Sequence, residues 1–172
     1  MLTFLNLEAE GFCSIESLHL QLNPTCTILI KAPNGKGKST ILSALVWAIY
    51  GKNLKGVSEV NTWKQVRPKD YKGTKVQVYF QKDSHTYKIV RCQKYDEVLE
   101  DGAKGKDRLI FMKDGDIVDI KGKGKIQDFI NREIGLSYTL FMNSIMFGQG
   151  IKRLIQESNS DKKKIFEEVF DL

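Results

Sequence analysis

The residues best suited to chemistry lie in one stretch, residues 31–40, which reads Lys-Ala-Pro-Asn-Gly-Lys-Gly-Lys-Ser-Thr. Residues 32–39 fit a phosphate-binding pattern that ends in Gly-Lys-Ser, except that Ala32 stands at the position of the first glycine. Backbone N–H groups that curl into a helix N-terminus form a concave anion site, and the helix dipole strengthens it. The sequence therefore predicts a loop that binds a triphosphate.

Each position of this loop has a predicted role. The Lys38 ammonium is expected on the β- and γ-phosphates, the Ser39 hydroxyl on Mg²⁺, and Thr40 on the α-phosphate. Gly35 and Gly37 are the glycines for which a positive φ or a close approach to phosphate is expected. The predicted nucleotide-binding residues are Asn34, Gly35, Lys36, Gly37, Lys38, Ser39 and Thr40.

The elements on either side of the loop support this interpretation. Residues 27–30, Thr-Ile-Leu-Ile, are predicted to form a short apolar strand that leads into the loop. After the loop, apolar residues at helical spacing predict a helix that packs on a sheet and ends at Gly51. The stripe consists of Ile41, Leu42, Leu45, Val46 and Ile49.

Composition narrows the class of protein. The 172 residues with 41% hydrophobic content suit one globular domain. With no leader pattern and no apolar run of membrane-spanning length, we expect an intracellular protein without membrane contact. The three cysteines lack Cys-x-x-Cys spacing and are expected to act as small buried hydrophobes. The net charge of +6 suits a nucleic-acid partner, although a solvated face explains it equally well.

Alternating apolar and polar residues predict three antiparallel pairs of strands, at 2–7 with 18–22, 76–80 with 87–92, and 109–112 with 117–120. His19 is expected to be exposed on its strand. The last pair turns at Asp114-Gly115, a strong hairpin signal. Because this hairpin explains Asp114, we do not assign it as the carboxylate of a second nucleotide motif.

The last third of the chain is predicted to be helical. A helix at 125–134 ends at Gly135, a short helix begins after Ser137, and an amphipathic helix occupies 158–172. Ile165, Phe166, Val169 and Phe170 are expected on one face of that last helix. Between the helices, Gln149 is flanked by Gly148 and Gly150, which lets the backbone approach a ligand closely.

Three motifs in this order resemble the N-terminal ATPase lobe of the SbcC-type coiled-coil ATPases, which act with a nuclease on DNA breaks and have bacteriophage counterparts. They are the loop near residue 32, Gly-Gln-Gly at 148–150 in the place of the Q-loop, and the ending at 162–172. The resemblance implies an α/β fold, the N-terminal half of an ABC- or SMC-type P-loop ATPase head. The implied lobe occupies residues 1–157 and contains a mixed sheet with antiparallel hairpins and a phosphate-loop helix. Residues 158–172 are implied to form a helix that leads into a coiled coil.

The resemblance also implies cofactors and partners. ATP and Mg²⁺ are the expected cofactors, with Lys38 and Gln149 as catalytic residues and Ser39 and Gln149 at the metal. The expected partners are the C-terminal lobe of the same ATPase, a second ATPase head, a nuclease subunit and double-stranded DNA ends. Because the C-terminal lobe supplies the Walker B and signature motifs, this chain alone is not expected to hydrolyse ATP. Relatives often carry a basic residue after the early aromatic, where this chain has Cys13 and Ser14 after Phe12.

Other interpretations remain open. One is an SMC-like recombination or chromosome ATPase that has no nuclease partner. Another is a small P-loop kinase, which would need a catalytic carboxylate after a second parallel strand and an arginine-rich lid. A third is a non-catalytic DNA-binding module, whose binding would depend on salt and not on nucleotide.

Overall fold

The computed structural model describes residues 1–22, 25, 27–60, 71–146 and 158–170. The helices in that part of the chain are α1 (Lys38–Tyr50), α2 (Lys123–Ile134), α3 (Tyr138–Ser144) and α4 (Asn159–Phe170). The strands are β1 (Leu2–Phe12), β2 (Ile15–Gln21), β3 (Thr74–Lys82), β4 (His85–Gln93), β5 (Tyr95–Val98), β6 (Lys104–Lys106), β7 (Leu109–Lys113) and β8 (Asp116–Ile117).

Six strands form one sheet in the order β2-β1-β3-β4-β7-β8, and every pairing in the described part is antiparallel. Two tight turns set its register. Asp83 and Ser84 between β3 and β4 have φ of 49° and 69°, and Asp114 and Gly115 between β7 and β8 have φ of 51° and 91°. Positive φ at both central residues matches the right-handed twist of the flanking strands. The three predicted strand pairs are confirmed, but the strand predicted at 117–120 is wrong beyond Ile117, because β8 is only two residues long.

The hydrophobic core lies between one face of the sheet and helices α1, α2 and α3. Val76, Val78 and Phe80 alternate along β3 and are fully buried on this face. The Phe80 ring stacks on Tyr87 of β4 with ring centroids 4.9 Å apart. On the opposite face, Tyr95 of the small β5–β6 hairpin joins a second cluster of buried residues with Val90, Cys92 and Ile110. The sheet is therefore the middle of three layers.

Helix α1 is held against the sheet at its C-terminal end. Its residues from 44 to 50 are all buried, whereas Leu42 is 39% exposed, so the predicted apolar stripe is wrong at Leu42. Gly51 ends the helix with φ 69° and donates its N–H to Trp47 O. Arg91 of β4 donates from Nε to Ala48 O (2.9 Å) and from Nη2 to Ile49 O (3.2 Å). These bonds fix the end of α1 to the sheet.

The predicted strand at 27–30 is wrong, because the structure assigns no strand there. A strand requires a hydrogen-bonded neighbour, and no described strand pairs with this segment. Ile28 is 39% exposed and Leu29 is 84% exposed. The apolar pattern is typical of a strand buried on both faces, a setting that the described residues do not supply. The β5–β6 hairpin was not predicted.

The remaining helices agree with the predictions in most respects. Gly135 ends α2 with φ 75°, and Ser137 Oγ accepts a hydrogen bond from Leu140 N (3.2 Å) at the start of α3. In α4, Ile165 is buried but Phe166 is 49% exposed, so the predicted common face is wrong for Phe166. The side chains of residues 169 and 170 lie outside the described part.

Three smaller predictions can be checked. His19 is exposed, as expected, and its Nδ1 lies 3.2 Å from Glu8 Oε1. Cys92 is buried, as expected, and burial raises the pKa of its thiol to about 12. Cys13 is half-buried, and Cys26 lies outside the described residues. Among the described helices, none combines the length and the apolar character needed to cross a bilayer.

Candidate nucleotide-binding site

The glycine-rich loop turns sharply into α1. Gly35 has φ 79°, and Gly37, the N-cap residue, has φ 84°, as predicted for these two glycines. A Cβ built on Gly35 meets no atom within 4 Å, so backbone conformation alone requires glycine there. The two glycines therefore allow the chain to turn sharply into α1.

The N-terminus of α1 has its hydrogen-bond donors available. The N–H groups of Gly37, Lys38 and Ser39 donate to no described residue, whereas Thr40 N donates to Gly37 O (3.0 Å). The first turn contains no acidic residue, and no side chain caps it. Donors of this kind, together with the positive end of the helix dipole, attract an anion such as phosphate.

Lys38 reaches back across the loop. Its Nζ donates to Ala32 O (2.6 Å) and Pro33 O (3.0 Å). An ammonium has three N–H donors, so one remains for a phosphate oxygen while both carbonyl bonds persist. The side chain is half-buried, which limits competition from water. The geometry puts a positive charge beside the loop amides.

The other predicted loop residues surround these donors. Asn34, Lys36 and Ser39 are exposed, and Thr40 is half-buried. The Ser39 hydroxyl is an oxygen donor of the type that Mg²⁺ prefers, so Ser39 fits the predicted metal position. The predicted metal and catalytic residue Gln149 lies outside the described residues, and its role stays a prediction.

The turn between β1 and β2 also approaches the loop. A Cβ built on Gly37 would lie 3.4 Å from Ser14 Oγ and 3.6 Å from Thr40 Oγ1. Cys13, just before Ser14, has φ 53°, a conformation uncommon for a residue with a side chain. Sequence reasoning did not assign Ser14 to the site. The resemblance draws attention to Cys13 and Ser14 after Phe12, and this is the signal that could have indicated it.

Asp114 belongs to the turn and not to a second nucleotide motif. Its Oδ2 lies 2.6 Å from His85 Nδ1, and its Oδ1 accepts from Thr86 N (2.9 Å). These hydrogen bonds hold the pKa of the carboxyl below its ordinary value, with the Thr86 backbone bond as the largest cause. The carboxylate therefore closes the β3–β4 and β7–β8 turns against each other.

Helix α1 starts at a glycine-rich loop that carries Lys38 and packs on an antiparallel sheet, and this fold is similar to that of an SMC-type ATPase head. The chain belongs to the AAA domain family, whose model matches residues 6–172. The predicted fold class is confirmed.

Several curated proteins are similar to the chain. It is 23% identical over 172 residues to a DNA double-strand break repair Rad50 ATPase of Methanopyrus kandleri, covering 96% of the chain and 18% of that protein. It is 29% identical over 163 residues to a probable Rad50 ATPase of Aquifex aeolicus, covering 94% and 16%. It is 25% identical over 158 residues to Exonuclease subunit 2 of Escherichia phage RB69, covering 90% and 25%. The chain thus spans a quarter or less of the length of these relatives.

One solved structure matches along nearly its whole length. It covers 97% of the chain and 99% of its own, with a TM-score of 0.56 and 19% sequence identity. It comes from work on ATP-driven dimerization and DNA stimulated activation of SMC ATPases. At this level of identity the likeness establishes the fold.

Proposed function

We propose that this chain is the ATP-binding N-terminal lobe of a DNA repair or recombination ATPase. In the complete protein, ATP joins two heads and hydrolysis separates them, which regulates a partner nuclease at DNA ends. Residues 1–157 are the lobe, and residues 158–172 lead into a coiled coil. The similarity to Rad50 ATPases and to a phage exonuclease subunit supports this function.

The observation that carries the proposal is the geometry of the loop. Lys38 Nζ lies across the carbonyls of Ala32 and Pro33, next to helix amides that donate to no described residue. The triphosphate of ATP fits this arrangement, because its oxygens are acceptors for both kinds of donor. Asn34, Gly35, Lys36 and Thr40 complete the phosphate contacts, and Ser39 binds Mg²⁺ together with Gln149.

The exposed segment at 27–30 supports a second lobe. Ile28 and Leu29 lead directly into the loop, yet both side chains are exposed. Strands from a C-terminal lobe would cover them and would place catalytic groups beside the phosphates. We therefore propose that the ATPase is active only when the C-terminal lobe and a second head are present.

Two alternatives are weaker. A small P-loop kinase would require a second parallel strand, whereas the described sheet contains antiparallel pairs only. An SMC-like ATPase without a nuclease has the same head, and the similarity to the phage exonuclease subunit favours the nuclease-linked protein.

The test compares nucleotide binding and ATP turnover for the chain alone and with the C-terminal lobe added. We expect the chain to bind Mg-ATP without turnover, and the added lobe to bring ATP turnover and ATP-dependent dimers. Lys38→Ala should weaken ATP binding at least about tenfold, because a charge-assisted hydrogen bond contributes roughly 1.5–3 kcal/mol.

The matched control is Lys121→Ala, which removes the same charge from an exposed position away from the loop. It should bind ATP as tightly as the unmodified chain. Turnover by the isolated chain would contradict the split site and favour the kinase. Salt-dependent DNA binding with no effect of ATP, with or without the second lobe, would instead favour the DNA-binding module.

A further inference from the structure

A cavity lies at the C-terminal end of α1, at the other end of the helix from the glycine-rich loop. Its volume is ≈ 410 Å³, and it lies between the C-terminal end of α1, strand β4 and the first turn of α2. A water molecule occupies about 30 Å³ of liquid, so the cavity can hold a small oxyanion with part of its hydration shell. Its lining includes Arg91, Lys123, Gly124 and Gln127 and contains no acidic residue.

Arg91 is a buried cation without a carboxylate partner among the described residues. It is 5% exposed, and Nε and Nη2 donate to Ala48 O, Ile49 O and Gln127 Oε1. Nη1 forms no hydrogen bond to a described residue, and it lies against Gly51, which also lines the cavity. Burial lowers the pKa of this guanidinium to about 10. A buried charge of this kind gains most from an anionic partner.

The first turn of α2 supplies donors to the same cavity. Gly122 is the N-cap residue, no side chain caps the helix, and the first turn contains no acidic residue. Lys123 Nζ is held at the rim by Asp107 O (3.0 Å). Gly124 also lines the cavity, and a Cβ built on it meets no atom within 4 Å. Packing therefore does not require glycine, whereas a bare backbone leaves the N–H groups of this turn accessible.

We propose that this cavity is a second phosphate-binding site, formed by Arg91, Lys123 and the N-terminal amides of α2. Arg91 and the helix amides together suit a tetrahedral oxyanion, because Arg91 Nη1 keeps its two N–H donors for the oxyanion while Nε and Nη2 bind Ala48, Ile49 and Gln127. The amides of α2 can then donate to another oxygen of the same anion. The ligand is a phosphate group, either free or in the backbone of DNA.

This site is separate from the glycine-rich loop. The loop lies at the N-terminal end of α1 and the cavity at its C-terminal end, about 18 Å apart at 1.5 Å per residue. The inference does not depend on nucleotide binding. It holds or fails whatever the outcome for Lys38.

The test follows the backbone amides of the chain by ¹H–¹⁵N NMR during titration with inorganic phosphate at constant ionic strength. Signals of residues 123–125 should shift and saturate, and they are resolved from those of residues 35–40. Lys123→Gln should weaken this response about threefold, as for one exposed ionic contact. Arg91→Lys, checked for an unchanged spectrum elsewhere, should weaken it about tenfold.

The control variant is Lys121→Gln, which removes the same charge two residues away from a position outside the cavity. It should leave the response to phosphate unchanged. An equal response to phosphate in Lys123→Gln and in the unmodified chain would overturn the site. Amide shifts with acetate as large as those with phosphate would also overturn it, because they would indicate a carboxylate ligand. A short DNA duplex that shifts the same amides and competes with phosphate identifies the phosphate as that of DNA. A duplex without effect identifies it as free phosphate.

Discussion

Gly51 offers a direct measure of how tightly Arg91 is held. An alanine at this position has two costs. Its backbone would have to keep φ 69°, and its Cβ would lie 3.0 Å from Arg91 Nη1 and 3.4 Å from Cζ. The left-handed conformation costs an L-residue about 1–2 kcal/mol. The contact with Arg91 is an additional cost only if the guanidinium cannot move.

The structure supplies a control for the first cost. Gly135 ends α2 with φ 75° and ψ 16°, nearly the same as φ 69° and ψ 11° at Gly51. A Cβ on Gly135 meets only Lys82 Nζ, at 4.0 Å. Gly135→Ala should therefore show the backbone cost alone. The difference between the two variants isolates the displacement of Arg91.

We expect Gly51→Ala to be about 1.5 kcal/mol less stable than Gly135→Ala, the loss of roughly one charged hydrogen bond at Arg91. For a chain of this size, this corresponds to a difference in Tm of about 3–6 °C. Urea unfolding with unchanged m-values would measure the free energies. If the two variants agree within about 0.5 kcal/mol, the guanidinium moves freely, and our account of Arg91 as a fixed buried cation is wrong.

Three further predictions concern the lobe itself. Phe80→Ala should lower the free energy of unfolding, measured by urea titration, by about 3–5 kcal/mol because the stacked core ring is lost. The control Val98→Ala, at an exposed site, should change this free energy by less than about 0.5 kcal/mol. Burial alone would raise the pKa of Glu10, but hydrogen bonds from Lys75 and Tyr95 outweigh it and lower that pKa. The Glu10 carboxylate therefore stabilises the fold at neutral pH. The unmodified chain should be more stable than Glu10→Gln at neutral pH, and this difference should shrink as the pH falls below 4.5. A difference that persists in acid would contradict this role of Glu10. Ser137→Ala should cost about 1 kcal/mol through the lost cap of α3, whereas Ser137→Asn should retain most of the stability if capping is the cause.

Local chemistry explains which parts of the fold could be predicted. The turn at Asp114-Gly115, the glycines at 51 and 135 and the cap at Ser137 act within a few residues, so sequence patterns identify them. The loop glycines Gly35 and Gly37 were predictable for the same reason, because their positive φ is a local requirement of the loop.

Predictions that depend on distant partners were less successful. Residues 27–30 have the composition of a strand, but strand formation needs neighbours that the described part of the chain does not provide. Arg91 looks like an ordinary strand residue, and only the tertiary structure brings it to the carbonyls of α1. Ser14 approaches the loop for the same reason.

The exposed segment before the phosphate loop affects how stably the lobe can accumulate in a cell. Ile28 and Leu29 belong to an uncharged run with strong β-propensity, and such runs recruit other chains when they are left uncovered. Under the proposed assembly, a partner lobe covers this run. A lobe made in excess over that partner would then be subject to aggregation and proteolysis, so the supply of the partner would set how much of it accumulates.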